Sequence, residues 1–200
     1  MENLNNRNVL FVVDLQYDFL SANGSLYVNG GEDVAYNIVQ YIKEHNIDEV
    51  ILTVDWHTSK DKSFKVNGGT WPIHCVQHSE GAAIYTPLID MLIEENIPYQ
   101  IFEKGSTYDH EEYGAFERHV YDNSYNHVFI NYGFTSDGIV IKNTKNTNFY
   151  ICGLAGDYCV FQTWRNLKKW GINAKPIDDC IGWINKPFDY EKRNKELLMN

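Results

Sequence analysis

Short apolar runs alternate with longer stretches of mixed character along most of the chain. Near-continuous apolar runs, each about the length of a strand, stand at 8–14, 49–55, 99–104, 148–153 and, more weakly, 173–178. Between and after them lie the helix candidates 31–45, 86–96, 159–170 and 188–198. Apolar strands that alternate with helices are typical of βαβ units, in which helices cover both faces of a parallel sheet. The pattern predicts a three-layer α/β fold around a mostly parallel sheet of about five to six strands.

One segment departs from this alternation. Residues 127–142 contain two strand-like runs around a loop with glycine, serine and aspartate, a pattern that predicts a β-hairpin. It stands where a simple alternation would have another helix. No internal repeat or low-complexity linker divides the chain, and 200 residues suit one domain. We therefore predict a single domain over 1–200 with a hairpin insertion.

Polar residues whose side chains could act in catalysis or binding follow the ends of four predicted strands. Asp14 ends the first strand, Asp55 the second and Lys104 the third, while the fourth leads into the loop before Cys159. In open α/β sheets, ligands bind outside the carboxyl ends of the strands. A single aspartate at a strand end is more often a turn residue or a helix cap. Four such placements together favour a shared site, which we expect at this edge of the sheet.

The stretch CGLAGDYCVFQT at 152–163 holds the candidate nucleophile. Free cysteine is among the most buried residue types, so a packing role is the first alternative for Cys159. Apolar positions at helical spacing predict a helix that begins near Tyr158 or Cys159, with Asp157 as its cap. The free N–H groups and the dipole at a helix start favour a thiolate, and we expect them to lower the pKa of Cys159. Cys152 lies within a strand, and we assign it to the core.

A second cluster of polar residues surrounds the end of the second strand. Asp55 is followed by His57, and His74 lies further downstream. Two imidazoles and a carboxylate suit a divalent transition metal such as zinc, iron or manganese. The spacing is weak evidence by itself, because an isolated histidine is more often a hydrogen-bonded residue of the core or the surface. The residues alone leave both alternatives open.

Composition narrows the classes of function. The formal net charge is −10 and the pI is near 5.1, which argues against a nucleic-acid or anionic-membrane partner. No apolar run is long enough to span a bilayer, and the polar N-terminal residues lack the apolar core of a signal peptide. We therefore expect a cytoplasmic protein with no membrane partner, in which the four cysteines are thiols rather than a disulfide framework.

Six stretches of the chain match the motifs of a known family. They are VDLQYDF (13–19), NGSLYVNGGEDV (23–34), DWH (55–57), GGTWPIHCVQHSEGA (68–82), EKGSTYDHEEYGAF (103–116) and CGLAGDYCV (152–160). Their order and spacing over most of the chain resemble the nicotinamidases of the isochorismatase-like cysteine hydrolase superfamily. The first and last stretches are widespread in the superfamily, whereas GSL with the following GG, and TWP with HCVQ, point more narrowly to nicotinamidases.

For catalysis, the resemblance implies that Cys159 is the nucleophile, Asp14 the general base and Lys104 the third catalytic member. The backbone N–H groups of Ala155 and Cys159 match the oxyanion hole. These roles agree with the chemistry of amide hydrolysis, in which a thiolate attacks the carbonyl, a carboxyl group carries the proton to the leaving ammonia, and water hydrolyses the thioester. The bond before Gly156 matches one that is often cis in the family.

For binding, the resemblance implies that Asp55, His57 and His74 hold one divalent transition metal per chain, with zinc ahead of iron and manganese. In the family, this metal binds the ring nitrogen and orients the substrate. Phe19 and Trp71 match the aromatic residues that hold the pyridine ring. The implied partner is therefore a small-molecule amide, and the resemblance leaves a homo-oligomer as an open alternative.

The sequence also departs from the family. Nicotinamidases usually carry a further histidine in the pattern DWHxxxH, and here that position is Asp61. Aspartate can also bind a divalent cation, so Asp61 is either a fourth metal ligand or a solvated residue of a rearranged loop 58–67. Gly156 stands in place of a threonine, which we expect to leave the loop before Cys159 less restrained. The hairpin-like stretch within 117–147 is an insertion that could cover the pocket or form a subunit contact.

Three hypotheses about function remain in competition. The leading one is a metal-containing nicotinamidase that releases nicotinate and ammonia in NAD salvage. The second is a related cysteine amidase that acts on another small heteroaromatic amide. The third is a catalytically inactive member that binds a metal or a ligand, and the intact set of Asp14, Lys104 and Cys159 argues against it.

Overall fold

The computed structural model describes residues 6–106, 112–117, 120–123, 127–131, 138–142 and 146–199, with the backbone alone for the strands between 120 and 142. The strands are β1 (Arg7–Val13), β2 (Glu49–Asp55), β3 (Tyr99–Lys104), β4 (Val120–Asn123), β5 (His127–Asn131), β6 (Gly138–Lys142), β7 (Thr147–Gly153) and β8 (Ala174–Ile181). The helices are α1 (Tyr17–Leu20), α2 (Gly31–Glu44), α3 (Thr86–Glu94), α4 (Phe161–Lys169) and α5 (Tyr190–Leu198). A short 3₁₀ turn covers Lys65–Asn67, and a π-helical turn covers Gly156–Val160.

The main sheet has five strands in the order β3–β2–β1–β7–β8, and every neighbouring pair is parallel. Its central strand β1 is apolar at every position from Val9 to Val13, and all five side chains are fully buried. Because successive side chains of a strand point to opposite faces, both faces of the sheet must be covered. The predicted α/β fold class is therefore confirmed.

Helix α2 shows why these segments become helical. Its apolar residues recur at helical spacing, so that Val34, Ile38 and Ile42 are buried on one face. Acidic residues fill the first turn and Lys43 lies in the last, which complements the helix dipole. In the part of the chain that the structure describes, no helix has both the length and the apolar character needed to cross a bilayer.

The hairpin predicted at 127–142 is confirmed by the backbone. Strands β5 and β6 pair antiparallel from His127 opposite Lys142 to Asn131 opposite Gly138, and β4 adds a third antiparallel strand that the sequence did not predict. Strand β6 lies beside β3, the edge strand of the main sheet. The rest of 117–147 lies largely outside the described residues, so its expected role as a pocket cover or subunit contact stays a prediction.

Candidate active site

The sheet order brings the expected strand-end residues together. Asp14 follows β1, Asp55 ends β2 and Lys104 ends β3, and Asp55 lies directly opposite Lys104 in the β2–β3 register. Strand β7 lies on the other side of β1 and leads through a turn to Cys159. Since parallel strands end at the same edge of a sheet, four distant parts of the chain meet at one place.

Lys104 is the centre of this cluster and is fully buried. Its Nζ lies 2.7 Å from Asp14 Oδ2, 2.5 Å from Asp55 Oδ1 and 3.6 Å from Cys159 Sγ. Asp14 is also fully buried, and its Oδ1 accepts a hydrogen bond of 2.8 Å from Thr53 Oγ1. A buried cation therefore contacts a carboxylate and a thiol at once, an arrangement that can stabilise negative charge on either.

The environment shifts the pKa values of these groups in different directions. Burial raises the pKa of Asp14 to about 6, although Lys104 lowers it. Burial by itself would lower the pKa of Lys104, but Asp14 and Asp55 raise it well above its usual value. Burial raises the pKa of Cys159 well above its usual value despite the nearby Lys104. The expected lowering of the Cys159 pKa is therefore wrong, because the desolvation of the sulfur outweighs the attraction of Lys104.

The turn that carries Cys159 differs from the predicted helix start. Residues Gly156–Val160 form a π-helical turn that continues into α4, and Cys159 is the fourth residue of that turn. The cis bond lies between Leu154 and Ala155, one residue before the bond implied by the family resemblance. Asp157 does not cap the helix, because its carboxylate accepts hydrogen bonds from the backbone N–H groups of Ile184 and Asn185.

Gly156 is held by contacts that replace those of a side chain. Its N–H donates to the carbonyl of Gly182 at 2.7 Å, and its carbonyl accepts a hydrogen bond of 2.8 Å from Tyr190 Oη. A Cβ atom at this position would lie only 2.6 Å from Ile181 Cγ2 and from the Trp183 ring. The expectation of a less restrained loop is therefore wrong, since neighbouring side chains fill the space of the missing one.

A candidate metal site lies next to this cluster. In the residues that the structure describes, ligand atoms of Asp55, His57 and His74 lie within 4.8 Å of one another, and all three side chains are buried. His57 Nε2 is 3.6 Å and His74 Nε2 is 3.8 Å from Asp55 Oδ2. His74 Nδ1 lies 2.8 Å from the carbonyl of Pro72, which leaves Nε2 for the cluster. Two imidazoles and a carboxylate fit a divalent transition metal.

The described residues contain a second group whose possible ligand atoms also lie within 4.8 Å of one another, formed by Asp14, Asp55 and Cys159. The Lys104 ammonium contacts all three, and a cation already in that position repels a metal ion. The first group is therefore the better candidate. Burial lowers the pKa of His74, which favours the neutral imidazole that a metal requires.

Two residues support the candidate metal site, and the sequence analysis singled out only one of them. Gln16 was not predicted, yet its amide donates to the carbonyl of Asp55 and accepts from the N–H of Asp55, both at 2.8 Å. Asp61 was expected either as a fourth ligand or as a solvated residue. The solvated alternative is wrong because the side chain is buried, whereas the ligand alternative stays a prediction. Asp61 is 1% exposed, and its carboxylate binds His57 Nδ1, on the ring edge away from Nε2, rather than joining the metal-facing atoms.

A cavity opens beside both clusters. Its wall includes the expected aromatic residues Phe19 and Trp71, together with Ala155 and Cys159. Phe19 lies edge-on to His74, with ring centroids 5.5 Å apart. Residues that the sequence did not single out complete the wall, namely Leu26, Val28, Ser63, Glu112, Tyr113, Tyr158 and Ile184. Trp71 Nε1 donates to Tyr113 Oη at 3.0 Å, so the pocket has an aromatic wall suited to a flat ring.

Comparison with known proteins indicates the same family as the sequence motifs do. No family model matches the chain. A curated relative, the nicotinamidase of Escherichia coli strain K12, is 30% identical over 199 residues, which cover 90% of this chain and 85% of the relative. The structure of yeast nicotinamidase bound to the inhibitor nicotinaldehyde matches 96% of each chain, with a TM-score of 0.71 and 26% identity. Pyrococcus horikoshii pyrazinamidase in complex with zinc matches 96% of this chain and 95% of its own, with a TM-score of 0.65 and 28% identity.

Proposed function

The chain belongs to the nicotinamidase family, and from that premise we propose that it hydrolyses nicotinamide to nicotinate and ammonia as part of NAD salvage. The observation that carries this proposal is the buried contact of Lys104 with both Asp14 and Cys159, the last of which lines an aromatic cavity. These are the groups that amide hydrolysis through a thioester requires. The chain is therefore an amidohydrolase that acts on a linear carboxamide.

In the first step, Asp14 takes the thiol proton of Cys159 and the sulfur attacks the carboxamide carbon. Burial raises the pKa of the Cys159 thiol, so Asp14 has to accept the thiol proton for the sulfur to become a nucleophile. The raised pKa of Asp14, about 6, supports its role as a base that works near neutral pH. Lys104 stabilises the negative charge during this transfer, because its ammonium lies between the two groups.

The attack produces a tetrahedral oxyanion. Ala155 and Cys159 line the cavity, and we assign their backbone N–H groups to this oxyanion. One such donor is worth about 3 kcal/mol in a well-studied protease. When the carbon–nitrogen bond breaks, Asp14 gives its proton to the leaving nitrogen and ammonia departs. The product of this half-reaction is a thioester between the acyl group and Cys159.

Water completes the reaction. Asp14 removes a proton from the attacking water, and the hydroxyl oxygen bonds to the thioester carbon. The second tetrahedral intermediate collapses with cleavage of the carbon–sulfur bond, and Asp14 returns the proton to the sulfur. Nicotinic acid is released and the Cys159 thiol is restored. The acid then loses its proton to ammonia to give nicotinate and ammonium, so that all atoms balance over the two half-reactions.

Asp55, His57 and His74 would hold a divalent metal, and Phe19 and Trp71 would hold the pyridine ring. When bound, the metal supplies a Lewis acid that fixes the orientation of the substrate. Among divalent metals we favour zinc, which the P. horikoshii relative binds, and keep iron and manganese as alternatives. That 1–200 form a single domain, that the protein is a homo-oligomer and that it is cytoplasmic are further proposals, which rest on sequence and resemblance.

A screen of small amides tests the proposed function. Zinc-loaded protein is incubated with nicotinamide, pyrazinamide and benzamide, and ammonia release is measured for each. We expect turnover of nicotinamide, and we expect benzamide, which lacks a ring nitrogen, to be the poorest of the three. The Cys159→Ala variant is the control, and it should release no ammonia above the background.

The screen also separates the alternatives. Turnover of another amide without turnover of nicotinamide would support the second hypothesis, a related cysteine amidase. Lack of turnover with every amide, together with intact metal binding, would support an inactive member. The buried contacts of Lys104 argue against that last alternative, because burying charged groups is costly even when they are paired, and an inactive protein gains nothing from that cost.

A further inference from the structure

The loop 58–67 contains a carboxylate that neither the proposed reaction nor the proposed metal ligands use. Asp61 is only 1% exposed, and a buried carboxylate must be hydrogen-bonded. Both of its oxygens have partners. Oδ2 lies 2.9 Å from His57 Nδ1, and Oδ1 accepts the backbone N–H of Ser63 at 2.8 Å.

The first of these bonds determines which nitrogen of His57 can bind a metal. Because Asp61 Oδ2 is an acceptor, Nδ1 must carry the hydrogen. In the neutral ring the lone pair is then on Nε2, which is the nitrogen that faces Asp55 Oδ2 at 3.6 Å. Metal-bound histidines in general have such a partner behind them, and it fixes both the tautomer and the ring orientation.

The surroundings keep this geometry in place. The Phe64 ring lies edge-on to His57, with centroids 5.4 Å apart, and the Gly105 backbone approaches the imidazole so closely that a Cβ would lie 2.6 Å from Cε1. The Asp61 backbone is fixed as well, since its N–H donates to the Thr58 carbonyl at 3.1 Å and its own carbonyl accepts from Asn67 Nδ2 at 2.8 Å. The imidazole therefore has little freedom to turn.

We propose that Asp61 is a positioning residue that stands behind His57 and directs its Nε2 toward the metal, rather than a metal ligand itself. The proposal deepens the proposed function, since it concerns the same metal site. It also gives a physical meaning to the departure from the DWHxxxH pattern. In this chain the position supports the metal site from outside, through the ring of His57.

The Asp61→Asn variant tests the proposal with little change of volume. A side-chain amide has oxygen at only one of the two carboxylate positions, so its NH₂ group must face either His57 Nδ1 or the Ser63 N–H. If the amide NH₂ faces His57 instead, it forces the hydrogen onto Nε2, which then cannot bind a metal. We expect zinc affinity, measured by competition with a coloured chelator, to fall about 10–100-fold.

Ser63→Ala is the matched control in the same loop. It removes a buried hydroxyl but keeps the backbone N–H that binds Asp61, so zinc affinity should stay within about twofold of the wild type, as expected where no partner of a ligand is lost. Unchanged zinc affinity in Asp61→Asn would overturn the proposal. An equal loss in both variants would overturn it too, because loop damage would then be the cause.

NMR of the wild-type protein tests the proposal without relying on the folding of a variant. In zinc-loaded protein with ¹⁵N-labelled histidine, NMR should show His57 with a hydrogen on Nδ1 and zinc on Nε2. X-ray absorption of the same protein should give the same number of oxygen ligands in the wild type and in Asp61→Asn. Zinc on Nδ1, loss of an oxygen ligand in the variant, or a wild type that binds no zinc would each overturn the proposal. None of these measurements requires turnover of nicotinamide, so failure of the proposed substrate would be seen separately.

Discussion

The nucleophile side and the metal side of the site share Lys104 but are built in different ways. On the nucleophile side, Asp14 and Lys104 directly follow or end strands, and Cys159 lies on the first helical turn after another strand. On the metal side only Asp55 ends a strand, whereas His57, Asp61 and His74 lie in the long connection between β2 and α3. The sheet itself positions the first set. The second set depends on side-chain hydrogen bonds within loops.

The two sides also differ in electrostatics. Burial raises the pKa of both Asp14 and Cys159, so each holds its proton more tightly than it would in water. On the metal side, burial works against ionisation of Asp55, but Lys104 and His57 lower its pKa below the usual value. One side is therefore suited to exchanging protons and the other to keeping a negative charge for a cation. This contrast predicts that each side can be disabled without the other.

The largest effect is expected when the general base Asp14 is removed, and it should be confined to the nucleophile side. For Asp14→Asn we expect a fall in kcat of about 10²–10⁴-fold, the usual contribution of a general base. Zinc affinity should be nearly unchanged, because Asp14 is not part of the favoured group of Asp55, His57 and His74. Steady-state kinetics and chelator competition check the two parts. A parallel loss of zinc would show that the two sides are not separable.

The converse test removes a metal ligand. For His74→Ala we expect zinc affinity to fall by at least about 100-fold, more than for an outer partner, while alkylation of Cys159 by a thiol reagent proceeds at a rate near that of the wild type. His78→Ala is the matched control, because His78 packs against Trp56 and is not in the metal-facing group. Retention of zinc in His74→Ala, or its loss in His78→Ala, would contradict the ligand assignment.

The pH dependence of activity and stability tests the electrostatic difference between the two sides. The proposed reaction needs deprotonated Asp14, so kcat/KM should fall about tenfold per pH unit below the pKa of about 6. The free energy of unfolding should change in the opposite direction. It should fall as pH rises from 3.8 through about 6, because the folded state binds the Asp14 proton more tightly than the unfolded state does. A pH profile of kcat/KM measured at saturating zinc checks the first statement. An acidic limb near the usual aspartate pKa of 3.8 would refute it.

The smallest effect is expected at the turn before the nucleophile. Gly156→Ala places a Cβ against Ile181 and Trp183, and overpacking of this kind costs about 1–3 kcal/mol. Combination with Trp183→Ala should recover part of this loss, because the ring that occupies the space is removed. Urea unfolding of both single variants and the double variant measures the coupling. Additive effects would mean that the ring does not replace the missing side chain.

These comparisons also explain what could be predicted from the sequence. Asp14, Asp55 and Lys104 could be located because a strand end fixes a residue's place in a parallel sheet. Asp61 could not be placed, since its role depends on a hydrogen bond to His57 that no spacing encodes. The direction of the Cys159 pKa was missed because burial comes from the whole fold, and not from the helix start alone.

The chemistry of Cys159 is the central claim, and partition of its thioester tests it most directly. Zinc-loaded protein turns over nicotinamide with and without hydroxylamine, which attacks thioesters, and the products are separated by chromatography. The account predicts that nicotinohydroxamate appears at the expense of nicotinate, in proportion to hydroxylamine, and that Cys159→Ala forms neither product. Nicotinate formation without any hydroxamate, or turnover by Cys159→Ala, would contradict it.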